Sequence, residues 1–145
     1  MLCISLGSRV ERPPRYQRYP EQYRGDGGFV INIVSLLLSN TMYESSRNHP
    51  PEADEFQRAG LTPAPCEVVA ASRVEEAGVN LECLLNRFLP LGTDHLIIGR
   101  MVRFHVRDEL YEYGRIDVAK LQPLGRLAGN YTKVETIFEL SSGNF

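Results

Sequence analysis

The pattern of hydrophobic and polar positions along the chain changes character near Val68. Before it, residues 2–6 form a short, apolar, β-prone run that predicts a strand beginning directly after the initiator methionine. Residues 29–34 (FVINIV) are β-branched and apolar on both faces, which predicts a buried strand. Ser35 is then placed to cap a short helix that ends near Met42.

A second short helix is predicted over residues 50–60. Its prolines come first, its acidic residues fall in the first turn, and Gly60 stands at its end. Asp54 and Glu55 are adjacent carboxylates, but neighbouring helix residues point in different directions, so they indicate a charged helix start and not an acid–base pair. Residues 62–65 predict a turn.

Beyond Val68 the pattern becomes a series of short β-prone runs separated by glycines. The predicted strands are residues 66–70, 79–88, 95–106 and 134–140. Alternation of apolar and polar positions over residues 79–83 is typical of a half-buried strand. The fold class predicted from pattern alone is mostly β, a barrel with one or two short helices.

Length and composition indicate one domain. With 145 residues and 43% hydrophobic content, the chain is long enough for a single core, residues 1–145, and too short for two. Residues 10–28 mix proline and glycine with charges and tyrosines, which is typical of an exposed loop.

Charge and hydropathy argue against nucleic acid and membranes as binding partners. Sixteen basic and eighteen acidic residues give a formal charge of −2, so no broad positive field is available for nucleic acid or an anionic membrane. The longest apolar run, residues 29–38, falls short of the roughly 20 residues that a membrane span needs. The N-terminus lacks a charged leader and a cleavage site. We therefore expect a soluble, cytoplasmic protein.

The side chains that carry metal or nucleophile chemistry form no recognised pattern. The three cysteines and three histidines share no ligand or redox spacing, which predicts reduced packing cysteines and no metal site. A nucleophile elbow, a phosphate loop, a zincin helix and a dinucleotide fingerprint are all missing from the sequence. Residues 25–28 (GDGG) precede a strand and are more typical of a turn. No catalytic residue is predicted.

Five segments, in order along the chain, resemble motifs of the flavin reductase-like family. Residues 29–34 are similar to its F-V-x-N strand, and residues 54–62 (DEFQRAGLT) to its D-E-F-x-x-A-G-L-T segment. Glu82-Cys83 stands where the family has an E-C strand. Residues 96–108 resemble the I-G-x-V-x-x-x-H-x-x-D stretch, and residues 121–127 the L-x-P-L-x-R-L motif, followed by Tyr131.

The resemblance implies a fold, an assembly and a cofactor. Members of this family are split β-barrels that dimerise, hold FMN at the dimer interface, and often pass hydride from NADH or NADPH to the flavin. Family members have a further strand, loop and strand ahead of the position of Leu2, so the resemblance implies an N-terminally incomplete FMN-binding split barrel that forms a homodimer.

The resemblance also implies a phosphate site in residues 5–9, which look like the family's S-x-G-x-R strand end. The implied phosphate-binding residues are Ser5, Gly7, Ser8 and Arg9. Backbone amides, hydroxyls and a guanidinium are good donors to a phosphate. For the two serines an ordinary strand end and turn is the alternative. The family's K-D-T segment is not matched, and no lysine precedes Lys120, so the cation would be Arg9, Arg12 or Arg15.

Three later residues are implied to contact the flavin or the partner chain. They are Asn32, Arg126 and Tyr131. Each has a structural alternative: Asn32 interrupts a buried strand and needs hydrogen-bond partners, Arg126 could be solvated, and Tyr131 could pack against the core. For His105 a hydrogen-bonded role is favoured over proton transfer.

Two functions follow from the resemblance. The first is an FMN-binding oxidoreductase with a nicotinamide as hydride donor. The second is a truncated or divergent member that dimerises, binds flavin weakly and is not catalytic.

Overall fold

The secondary structure follows from a computed structural model that describes residues 2–6, 27–47, 54–91 and 94–138. The strands are β1 (Leu2–Leu6), β2 (Gly28–Asn32), β3 (Pro63–Ala64), β4 (Arg73–Val74), β5 (Val79–Leu91), β6 (Asp94–Val106), β7 (Tyr111–Glu112), β8 (Arg115–Ile116), β9 (Leu124–Leu127) and β10 (Asn130–Lys133). The helices are α1 (Ser39–Ser45), α2 (Glu55–Ala59) and α3 (Val118–Leu121), with 3₁₀ turns at Leu36–Leu38 and Asp108–Leu110. The predicted mostly β fold with short helices is confirmed.

The largest element is a four-stranded antiparallel sheet in the order β1-β6-β5-β2. Its centre is the long hairpin of β5 and β6, which pair from Val79 opposite Val106 to Leu91 opposite Asp94. The register shifts between Glu82 and Cys83 and again between Leu85 and Arg87. Because bulges bend a strand and increase its twist, these shifts let the hairpin curve around a core. The predicted strands at residues 79–88 and 95–106 are confirmed.

A hydrophobic cluster closes the end of this sheet near the start of β5. Val79, Leu110 and Leu121 are buried there, and partly buried hydrophobic side chains from β5, β6 and β8 pack against them. Gly78 makes this packing possible, since a Cβ at that position would lie 2.4 Å from Cδ1 of Leu110.

The other buried region lies on β5 and β6 further along the hairpin. Cys83 and Ile97 are almost fully buried. Phe29 of β2 crosses Gly99, where a Cβ would be 2.5 Å from Cζ of Phe29 and 3.2 Å from Cβ of Cys83. The glycine in the isoleucine-glycine pair of β6 is therefore a packing requirement.

Helix α2 begins later than the sequence predicts. Asp54 is the N-cap, and its Oδ1 accepts hydrogen bonds from the amides of Phe56 at 2.9 Å and Gln57 at 3.4 Å. Gly60 ends the helix in the left-handed region, at a φ of 66°. Asp54 therefore caps the helix and does not lie in its first turn. Residues 50–53 of the prediction lie outside the described residues.

The helix predicted after β2 is confirmed, but its cap is not. The chain makes a 3₁₀ turn and then α1, which ends at Ser45. Ser35 precedes the turn in an extended conformation, and its side chain makes no capping hydrogen bond. Its backbone instead forms a bridge with Pro123, which joins this segment to the start of β9.

The strand predicted over residues 66–70 is wrong. These residues form a bent loop, and the amides of Glu67, Val68 and Val69 donate to the carboxylate of Glu82 instead of to a neighbouring strand. The carboxylate of Glu82 thus accepts the hydrogen bonds that a neighbouring strand would otherwise accept. The turn predicted at residues 62–65 contains the short strand β3, which pairs with β4.

The strand predicted over residues 134–140 is displaced. The observed strand is β10, which pairs with β9 across a tight turn at Ala128 and Gly129. Residues 134–138 are not in a strand, and the side chain of Ile137 is exposed. The tight turn between β9 and β10 determines that residues 130–133 pair with residues 124–127. The apolar run that predicted the strand begins at Val134, where this pairing has ended. Residues 139–140 lie outside the described part of the chain.

Burial also departs from the pattern on two strands. β2 is half-buried and not buried, because it lies at an edge of the described sheet. Residues 79–83 of β5 are buried on both faces, since the polar residues Asn80 and Glu82 are buried as well as Val79 and Cys83, so the predicted half-buried strand is wrong here. The polar side of β5 therefore faces protein.

Two further sequence predictions concern the loop and the membrane. Gly28 already belongs to β2, and residues 10–26 of the predicted loop lie outside the described residues. Among the helices of the described residues, none is long and apolar enough to cross a bilayer.

Candidate functional site

Arg126 and Tyr131, two of the sequence-predicted flavin contacts, face each other on one hairpin. They are directly opposed in the register of β9 and β10. The guanidinium carbon of Arg126 lies 4.4 Å from the centroid of the Tyr131 ring, within cation–π range. The tyrosine hydroxyl lies 3.8 Å from Sδ of Met42 on α1. The ring is therefore fixed between a cation and a helix.

A cavity of about 490 Å³ opens between α1 and this hairpin. Its lining is mostly apolar and consists of Leu36, Ser39, Asn40, Met42, Tyr43, Leu124, Tyr131, Thr132 and Lys133. Its volume falls in the range of small-molecule sites, and such sites are typically lined in this way. The residues around this cavity could therefore hold a planar, partly apolar ligand.

Backbone hydrogen bonds hold the hairpin against the segment that follows β2. The amide of Leu124 donates to the carbonyl of Val34 at 2.9 Å, and the amide of Leu36 donates to the carbonyl of Gln122 at 2.9 Å. A second cavity of about 190 Å³, lined in part by Asn32, lies on the other side of α1, and Met42 lines both cavities. Asn32 is therefore a neighbour of the hairpin site without lining it.

Asn32 belongs to a hydrogen-bond network that ties three strands together. Its Oδ1 accepts from the amide of Val74 at 3.0 Å and from Nδ2 of Asn80 at 2.7 Å. Nδ2 of Asn80 also donates to the carbonyl of Val74 at 3.0 Å. Asn32 thus has the hydrogen-bond partners that a polar residue in this strand needs. The side-chain amides of Asn32 and Asn80 together link β2, β4 and β5.

The predicted phosphate segment is described only in part. Ser5 lies in β1, opposite Leu96 of β6. Gly7, Ser8 and Arg9 lie outside the described residues, as do Arg12 and Arg15. The structure therefore brings Arg126 and Tyr131 together and places Asn32 nearby.

Sequence reasoning missed a buried carboxylate, Glu82 of β5. Its side chain is fully buried, and its oxygens accept from the amides of the residue 67–69 loop at 2.7 to 3.0 Å. Nε2 of His105, on β6, lies 2.6 Å from Oε1 of Glu82. We call Glu82, His105 and the residue 67–69 loop the carboxylate clasp.

The clasp keeps its carboxylate ionised. Burial alone would raise the pKa of Glu82, but hydrogen bonds from the loop amides and from His105 outweigh it and lower that pKa to about 2. A group ionised at all ordinary pH values cannot deliver a proton at pH 7. Glu82 is therefore an anchor for the loop and for His105. The signal available in the sequence was the polar residue inside the E-C strand.

Ion pairs and thiols complete the surroundings of the clasp. Arg103 pairs with the outward carboxylate of Glu67 at 2.6 Å. Burial raises the pKa of the Cys83 thiol, and burial followed by the charge of Glu82 raises that of Cys66. Both cysteines are free thiols, and neither is activated as a nucleophile. Among the described residues no group of His, Cys, Asp and Glu is arranged to hold a metal ion.

Comparison with known sequences finds relatives that include two bacterial proteins. An uncharacterized protein of Halalkalibacterium halodurans is 34% identical over 147 aligned positions, which cover 97% of this chain and 69% of that protein. The uncharacterized protein YwrF of Bacillus subtilis is 32% identical, over 79% of this chain and 60% of that protein. The chain therefore spans roughly three-fifths to two-thirds of the length of these two relatives.

Comparison with solved structures agrees on the fold. Nitrilotriacetate monooxygenase component B from Bacillus cereus superposes with a TM-score of 0.83 at 37% identity, over 95% of this chain and 70% of that one. A split-barrel-domain protein from Shewanella frigidimarina superposes at 0.80 with 21% identity, over 97% of this chain and 70% of its own. The flavoredoxin of Desulfovibrio vulgaris superposes at 0.75 with 22% identity, over 97% and 74%.

The described sheet and hairpins are thus parts of a split barrel, which confirms the predicted fold. The sequence model of the flavin reductase-like domain matches residues 3–134, nearly the whole chain. That match, with the relatives at more than 30% identity, shows that this chain belongs to the flavin reductase-like domain family.

Proposed function

We propose that this protein is an FMN-binding oxidoreductase that accepts hydride from NADH or NADPH. The observation that carries the proposal is the pairing of Arg126 with Tyr131 beside an apolar cavity of about 490 Å³, on a chain of this family. Several proteins of the same fold are flavin proteins by name, among them an FMN-binding domain from Shewanella baltica and an NADH:FAD oxidoreductase from Streptomyces globisporus.

The cavity suits the ring system of a flavin. Leu36, Met42 and Leu124 offer an apolar wall, and Tyr131 offers a ring face or edge for an offset aromatic contact. The guanidinium of Arg126, 4.4 Å from the ring centroid, holds the tyrosine ring in position for such a contact. When bound, the flavin supplies the hydride chemistry, and the protein contributes binding and orientation.

The remaining contacts are assigned by the resemblance. We propose that the hydroxyls and backbone amides of Ser5, Gly7 and Ser8, with the guanidinium of Arg9, bind the FMN phosphate. Asn32 is the third proposed contact besides the hairpin pair. Its Oδ1 is already engaged by Val74 and Asn80, so its contribution is to hold the end of β2 in place beside the flavin.

We further propose that two copies of the chain share the site. β1 and β2 each have one pairing partner among the described residues, and an unpaired edge favours association. Large apolar side chains also remain exposed on β6, among them Met101 and Phe104. A molar mass in solution of twice that of the chain would support this assembly.

Replacing Tyr131 by alanine should weaken FMN binding about tenfold, because the aromatic contact and its buried area are lost together. The measurement is a titration of flavin fluorescence with purified protein, alongside the absorption spectrum of the protein as isolated. Tyr113→Ala is the matched control, since the side chain of Tyr113 is fully exposed at the β7–β8 turn. If the Tyr131 variant and wild type bind FMN with equal affinity, the flavin does not bind in this cavity.

A further inference from the structure

We propose that another pocket, between β4 and β6, binds a phosphate group. It has a volume of about 220 Å³, enough for a small oxyanion, and its lining is polar. The side chains that matter are Arg73, Glu75, His105 and Arg107. The cavity beside Tyr131 shares none of these residues, so this pocket is separate from the proposed flavin contacts.

Both arginines stand on a fixed backbone. Arg73 lies in β4, which is pinned to β2 and β5 by the hydrogen bonds of Asn32 and Asn80 to Val74. Arg107 follows β6, where its amide donates to the carbonyl of Gly78 at 3.0 Å. A binding site gains from such support, because less ordering is required when the ligand arrives.

The two guanidinium groups converge on one residue, Glu75. Nη1 of Arg73 lies 3.0 Å from its carboxylate, and Nη2 of Arg107 donates to its backbone carbonyl at 2.9 Å. Nε of Arg73 also donates to the carbonyl of Pro65 at 3.3 Å, and Nη1 of Arg107 lies 3.9 Å from the carboxylate of Glu109. These contacts use a minority of the five N–H groups on each guanidinium, so donors remain for a ligand.

Charge and burial favour an anion here. Two guanidinium groups face one lining carboxylate, so the formal charge of these three lining groups is positive. The side chain of Arg73 is only 22% exposed, whereas that of Glu75 is 53% exposed and is free to turn toward water. We infer that the Glu75 carboxylate marks the position of an external anion and competes with it. Arginine pairs bind phosphate through parallel N–H···O bonds.

The test is calorimetric titration of the purified protein with inorganic phosphate at low ionic strength. We expect a dissociation constant of about 1 mM for wild type, and weakening of about tenfold in Arg73→Gln and in Arg107→Gln. Glu75→Gln should strengthen binding, because the internal competitor is removed. Arg58→Gln, which removes the same charge from the exposed end of α2, is the matched control and should leave the affinity unchanged. Far-ultraviolet spectra verify that each variant is folded.

The outcomes separate this site from the proposed flavin phosphate site. Retention of phosphate binding in Arg9→Ala, with loss in the Arg73 and Arg107 variants, supports the proposal. Loss in Arg9→Ala alone, or no binding by wild type, overturns it.

If the natural ligand is a nucleotide, NADPH binds more tightly than NADH and Arg73→Gln abolishes the difference. If it is free phosphate, the two nucleotides bind alike and only inorganic phosphate responds to the variant.

Discussion

Replacing Glu82 by glutamine is expected to lower the free energy of unfolding by about 3 kcal/mol, a large share of the stability of a small domain. The carboxylate accepts three amide hydrogen bonds from the residue 67–69 loop and a fourth from His105. A glutamine of the same shape has one acceptor oxygen and brings an NH₂ group against backbone donors. Each amide left without an acceptor in a buried place costs roughly 1 to 3 kcal/mol.

Urea unfolding followed by circular dichroism measures this change. Glu44→Gln is the control, since Glu44 lies on the exposed face of α1 and forms an ion pair with Arg47 one turn away. Surface pairs of that kind contribute at most about 1 kcal/mol. A Glu82 variant as stable as the Glu44 variant would show that the clasp contributes little to the fold.

The clasp also sets a direction for the pH dependence of stability. The pKa of Glu82 is lowered from 4.5 to about 2, so the folded state favours the ionised form. The contribution of a lowered pKa is fully present above the unfolded value of 4.5 and is lost as the pH falls from there toward 2. Wild type should therefore lose stability over that window more steeply than Glu82→Gln. Parallel acid-denaturation curves for the two proteins would contradict the assignment.

Replacing Arg9 by alanine is expected to weaken FMN binding about ten- to a hundredfold. A charge-assisted hydrogen bond from a guanidinium to a phosphate contributes roughly 1.5 to 3 kcal/mol, which corresponds to that range of affinity. Arg126→Ala should have a smaller effect, because its guanidinium is already stacked on Tyr131. The measurement is the same flavin titration, with Arg115→Ala of β8 as the control for the loss of one positive charge.

The result of this titration shows which residues, if any, bind the FMN phosphate. If wild type binds FMN and Arg9→Ala binds it equally well, the phosphate lies elsewhere, with Arg12 and Arg15 as the next candidates. If wild type does not bind even at high flavin concentration, the oxidoreductase proposal fails. The chain is then the divergent, weakly binding member of its family that the sequence left as the alternative.

Much of the fold could be predicted because it depends on local chemistry. The strands β5 and β6 follow from β-prone runs between glycines, and Gly60 ends α2 because the left-handed region admits glycine without strain. The resemblance of ordered motifs supplied the family, which neither composition nor periodicity could supply. The short hairpins β7–β8 and β9–β10 were missed, since two to four residues are too few to show a period.

The candidate site was predicted only in outline. Arg126 and Tyr131 were both named from the sequence, but their stacking depends on the register of β9 and β10. The pocket of Arg73 and Arg107 joins residues from separate strands, and no linear motif contains both.

The sequence by itself determined the class of fold, the position of the long hairpin and the capping of α2 at Gly60, because these follow from propensities and spacings within a few residues. Only the tertiary structure determined the conformation of residues 66–70, which are β-prone yet form a loop that bends around Glu82. Their amides could pair with a strand or with a buried carboxylate, and that carboxylate lies 15 residues away in sequence from Glu67, the first residue whose amide donates to it. Such a choice depends on long-range contact, so local pattern could not reveal it.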